Sequence, residues 1–69
     1  MASRRKKHIA EREIKRLEAL RRARARRLAD ATADGRVPKE EIRRRREAVD
    51  LVGLRIEQAR ERLARLEAE

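Results

Sequence analysis

The side chains that could do chemistry in this sequence are cations, and they are unevenly placed. Residues 1–27 hold 12 basic and 3 acidic groups, residues 28–42 hold 2 and 4, and residues 43–69 hold 8 and 6. The first segment alone therefore carries an excess equal to the whole net charge of +9. Arg4, Arg5, Lys6 and Lys7 form an unbroken run, and Arg12, Lys15, Arg16 and Arg22 continue it at helical spacing. Such a set suits phosphate, because neutralising a nucleic-acid backbone releases its counterions and needs no aromatic residue. Guanidinium forks bind phosphate or carboxylate bidentately, and 18 of the 22 cations are Arg. A GC-rich genome, whose codons favour Arg and Ala, accounts for the same excess. In a first helical turn the run from Arg4 to Lys7 opposes the helix dipole, a local conflict that a bound anion resolves. The plainer reading of the run is a solvated tail that keeps the chain soluble.

Other chemistry is scarce. His8 is the one histidine and there is no cysteine, so disulfides, thiolate zinc sites and His-cluster metal sites are excluded, and no cofactor is expected. Asp50, Glu57 and Glu61 beside Arg55, Arg60 and Arg62 read as a solvated, ion-paired helix face. Nothing in the sequence buries a carboxylate for acid–base work, so the chain is not expected to be an enzyme. The absence of Phe, Trp and Tyr excludes the base-stacking platforms of many RNA- and single-strand-binding domains. No apolar run approaches the ~18 residues of a membrane span. No apolar stretch follows the basic N-terminus as a signal peptide would require.

The elements that must position the cations are helices. Up to Ala33 the chain is rich in Ala, Leu, Arg and Glu, all good helix formers. Asp34-Gly35-Arg36-Val37-Pro38 then interrupts it, and a second helical run follows. Gly35 fits a left-handed residue just past a helix end, and Pro38 fits the first turn of the next helix. Glu40 and Glu41 place negative charge at the positive end of that helix. The pattern predicts helices over about 8–33 and 38–67 joined by a loop at about 34–37. So short a loop makes the helices antiparallel.

The turn, over about residues 28–49, resembles the SHOCT family of short helical-hairpin modules. Leu28, Gly35, Val37, Pro38, Glu40, Glu41 and Ile42 fall at matching places, followed by Arg45, Arg46 and Val49. Ile42 stands where that family has Phe, Pro38 where it has Thr, and Asp50 where it has an apolar residue. The resemblance implies oligomerisation.

Helix 2 carries a heptad: Ile42, Arg45, Val49, Val52, Ile56, Ala59, Leu63 and Leu66 alternate as a and d positions. Ala10, Ile14, Leu17, Arg21, Arg24, Leu28 and Ala31 are the poorer set on helix 1. Folding back about Gly35 sets Leu28 near Ile42, Leu17 near Val52 and Ile14 near Ile56, with Arg21, Arg24 and Arg45 in one stretch of the seam. Three guanidiniums cannot be buried together, so they snorkel outward or meet acidic groups of a partner. Leu51 and Leu54 lie on the opposite side of helix 2 and, with Gly53 between them, mark a second contact surface.

The chain is thus expected to be all-α, an antiparallel coiled-coil-like hairpin over residues 8–69 behind a basic arm at 1–7, oligomeric or docked on a larger assembly. The expected role is a structural component of a nucleic-acid-containing assembly such as a phage particle, a nucleoid or a ribonucleoprotein. Arg4, Arg5, Lys6, Lys7, Arg12, Lys15, Arg16 and Arg22 would meet phosphate without sequence preference. Ile14, Leu17, Val49, Leu51, Val52, Leu54 and Ile56 would meet protein, either a larger assembly or a second copy. Neither a membrane nor a small-molecule substrate is expected, and the setting would be the cytoplasm or a phage interior. The alternative is an oligomerisation or adaptor module that binds an acidic protein surface without nucleic acid.

Overall fold

The computed structural model describes residues 2–68, so Met1 and Glu69, the outer ends of the expected arm and hairpin, lie outside the described residues. The fold is an all-α hairpin of two long helices, α1 (Ala2–Ala33) and α2 (Lys39–Ala68). A helix the length of α1 spans about 48 Å at 1.5 Å per residue, which accounts for most of the 54 Å long axis. The helix begins earlier than expected. Arg4, Arg5, Lys6 and Lys7 belong to α1 rather than to an extended arm, because nothing between Ala2 and Ala33 breaks a helix.

The turn is built by Asp34, not by Gly35. Asp34 N donates to Asp30 O at 3.0 Å and closes α1, and Val37 N donates to Asp34 O at 3.2 Å. The Asp34 side chain accepts from Arg36 N at 3.1 Å, a local side-chain-to-backbone bond that fixes the loop. Gly35 has no positive φ, so the expected left-handed cap is not used and the Asp34 bonds take its place. Pro38 stands just before α2, where its carbonyl accepts from Glu41 N at 3.1 Å and Ile42 N at 3.2 Å. An added Cβ at Gly35 meets nothing within 4 Å. Gly35→Ala should therefore stabilise the hairpin by about 0.4–1 kcal/mol through the unfolded chain, raising the melting temperature followed by circular dichroism.

The core lies in the half of the hairpin away from the turn. Ile14, Leu17, Val52, Ile56 and Ala59 form one buried cluster, with Leu20 and Leu63 packed against it. The residues expected to face each other there, Ile14 with Ile56 and Leu17 with Val52, share that cluster. Val52 is fully enclosed, at 0% exposure. Nearer the turn the small Ala31 is buried, while Leu28 and Ile42 are only half-buried. The heptad misplaces one residue of α1: Leu20, three residues after Leu17, turns toward the core instead of Arg21. At 3.6 residues per turn the apolar stripe drifts off a strict seven-residue repeat.

None of the three seam arginines is buried. No charged side chain is buried among the described residues. Arg45 Nη2 reaches Glu41 Oε1, one turn back on its own helix, at 3.0 Å. Arg21 lies across α2 at Gly53, its Cζ 3.7 Å from where a Gly53 Cβ would sit. The glycine expected to admit a partner's backbone thus accommodates this guanidinium instead.

Candidate anion-binding face

In an antiparallel hairpin the flanking heptad positions meet along two edges, e against e and g against g. Here the edges differ in charge. Lys7 Nζ lies 3.8 Å from Glu67 Oε1, and Arg60 Nη2 lies 3.9 Å from Glu18 Oε1. Both pairs join α1 to α2 on the edge where Arg21 covers Gly53. On the other edge the helices bound a groove of about 300 Å³ lined by Glu13, Arg16, Leu17, Arg55, Gln58, Ala59 and Arg62. Leu17 and Ala59 are core residues, so this groove borders the core, while its exposed lining is mostly polar and includes three guanidiniums and one carboxylate. Among the described residues, none of the three guanidiniums has a carboxylate within 4.0 Å. A neighbouring surface depression, lined by Ile9, Arg12, Glu13 and Arg16, shares two residues with the groove and extends it along α1.

Of the eight cations expected to meet phosphate, Arg4, Arg5, Lys6, Arg12, Lys15, Arg16 and Arg22 are exposed on α1. At 100° per residue, Arg4, Arg5, Arg12, Lys15, Arg16 and Arg22 fall on the half of α1 turned away from α2, with His8 and Arg26 between them. Lys6, though exposed, falls outside that half, and Lys7 is the second exception. It is half-buried at the helix interface and engaged by Glu67, so it belongs to the balanced edge.

The partner-facing set divides more sharply. Ile14, Leu17, Val52 and Ile56 are buried within the hairpin, so they are not available to a partner in this fold. The seam that was expected to dock outward is consumed between α1 and α2. Val49 is half-buried. Leu51 and Leu54 are exposed at 48% and 51%, and Ile9 at 58% joins them as an apolar surface residue the heptad did not single out.

Comparison of the chain with family models, curated proteins and solved structures gave no match.

Arg55 and Arg62 are the site residues missed by the sequence reading, which paired them with acids along α2. A legible signal was present. Helix neighbours lie three and four residues away, and at those offsets Arg55 meets Leu51, Val52, Gln58 and Ala59, while Arg62 meets Gln58, Ala59, Arg65 and Leu66. No acid stands at any of them. Arg60, the third cation of that group, pairs across the hairpin with Glu18 rather than along its own helix.

Proposed function

We propose that this hairpin is a non-enzymatic, structural component of a nucleic-acid-containing assembly, holding phosphate backbone against the outer face of α1. The observation that carries this reading is the exposed row Arg4, Arg5, Arg12, Lys15, Arg16 and Arg22, which has no carboxylate within 4.0 Å among the described residues and whose guanidinium and ammonium groups are spaced along a rigid rod. Phosphate contacts of this kind supply affinity without reading sequence. A phage particle, a nucleoid or a ribonucleoprotein, inside a cell or a virion, would provide that ligand.

Docking to protein belongs to the same proposal. The chain exposes 6172 Å², whereas a compact folded chain of this size exposes about 4,500 Å². Its radius of gyration of 15.9 Å compares with about 11 Å for a compact domain of this length. Ile9, Leu51 and Leu54 lie on this extra surface, and Leu51 and Leu54 also favour the second reading, an adaptor or oligomerisation module that meets an acidic protein.

The two readings are separated by fluorescence anisotropy of a labelled duplex oligonucleotide, titrated with the hairpin at low salt and then challenged with unlabelled DNA or polyglutamate. The nucleic-acid reading expects tight duplex binding that DNA reverses and an equal charge of polyglutamate does not. Duplex binding released equally by both polymers, or none at all, would favour the adaptor.

A further inference from the structure

The geometry points to a phosphodiester seat between the two helices, formed by Arg16 of α1 with Arg55, Gln58 and Arg62 of α2, whose occupation clamps the hairpin shut. The inference rests on the polyanion reading above and gives it a defined location.

Three observations converge on this groove. The first is charge: three guanidiniums face one carboxylate, Glu13, across about 300 Å³ of open space. On the opposite edge two of the cations, Lys7 and Arg60, face Glu67 and Glu18, while Arg21 stands over Gly53. The second is position. Leu17 and Ala59 belong to the core, so the groove abuts the low-dielectric interior, which strengthens the field felt by an incoming anion. The third is spacing. Arg55 and Arg62 lie two turns apart on one face, about 10 Å along α2, with Arg16 across from them. A polymer of phosphates can meet all three, whereas a single small anion meets fewer.

A phosphodiester backbone fits this arrangement better than a carboxylate surface does. Arg forks take phosphate oxygens bidentately, and the Gln58 amide offers two further N–H donors to the same oxygens. Because the cations come from both helices, the groove sets like charges against each other where α1 meets α2. Filling it replaces that repulsion with a bridge. Binding and closure are then linked, and any ligand that binds only the closed hairpin raises its stability by mass action.

The test compares Arg55→Gln/Arg62→Gln with Arg43→Gln/Arg46→Gln, which removes the same charge from α2 outside the groove. All four side chains are exposed, so both variants keep the core. Duplex affinity and oligonucleotide-induced rise in melting temperature are measured for each, with inorganic phosphate as a parallel ligand. The groove variant should lose about tenfold or more in affinity, reduce the salt slope by about 2 and lose most of the thermal gain. Its ligand-free melting temperature should equal or exceed that of the parent. The control should keep most of the thermal gain. Equal losses in the two variants would overturn the seat and leave a diffuse basic surface. A thermal gain from inorganic phosphate matching that from the oligonucleotide would overturn the polymer as its occupant. Failure of the parent to bind duplex at all would remove the polyanion reading itself.

Discussion

Val52→Asp should unfold the hairpin. Among the described residues Val52 is the one fully enclosed large side chain, within the Ile14–Leu17–Ile56–Ala59 cluster. A carboxylate there would be desolvated among apolar side chains, at a cost of more than about 4 kcal/mol. A chain of this length has about 3–10 kcal/mol of total stability, so little helix should survive. Circular dichroism at 222 nm measures the loss. Leu51→Asp, one residue away on an exposed position, should leave the spectrum close to that of the parent. Equal helicity in both variants would mean that the seam is not what holds α1 to α2.

Replacing Arg4, Arg5 and Lys6 by Gln should produce the largest change in binding. All three are exposed, and none touches the core cluster. Lys7 is left in place because it already faces Glu67. If Arg4 and Arg5 of the outward row each meet one phosphate, the slope of log affinity against log salt falls by about 1.8, and by about 2.7 if the exposed Lys6 beside them meets one as well. Affinity at low salt then drops by about 10²- to 10³-fold. Helicity should hold or rise slightly, since fewer cations oppose the dipole of α1. An unchanged slope would make the run a solubility tail.

The hairpin was readable from residue pattern alone because few alternatives compete with it. Helix formers fill both arms, one Gly and one Pro mark one turn, and the α2 heptad has a single polar member, Arg45. The details that went differently depend on how the helices roll against each other. Leu20 in the seam instead of Arg21 is a rotation of about one position, which a seven-residue repeat on a 3.6-residue helix cannot specify. The turn was misassigned to Gly35 because glycine permits a left-handed conformation without requiring one, while Asp34 could satisfy the loop by its side chain.

The binding face was legible in part. Charge counting located the row on α1, because an uneven distribution survives whatever the fold. The groove was less visible, since it exists only where two helices meet. Arg55 and Arg62 looked paired because acids are abundant nearby in the chain. The absence of an acid at three or four residues from either one was the available clue. The apolar partner set was over-assigned for a related reason. Ile14, Leu17, Val52 and Ile56 can be spent once, and the hairpin spends them internally.

Contact between this face and phosphate backbone is tested by the salt dependence of the unmodified hairpin on two duplexes of unrelated sequence. Affinity would be followed between about 50 and 200 mM salt. The account predicts a linear log–log plot with a slope of about −5 or steeper, as expected for six or more phosphate contacts, and nearly the same line for both sequences. A slope shallower than about −1, or no binding at the lowest salt, would contradict it.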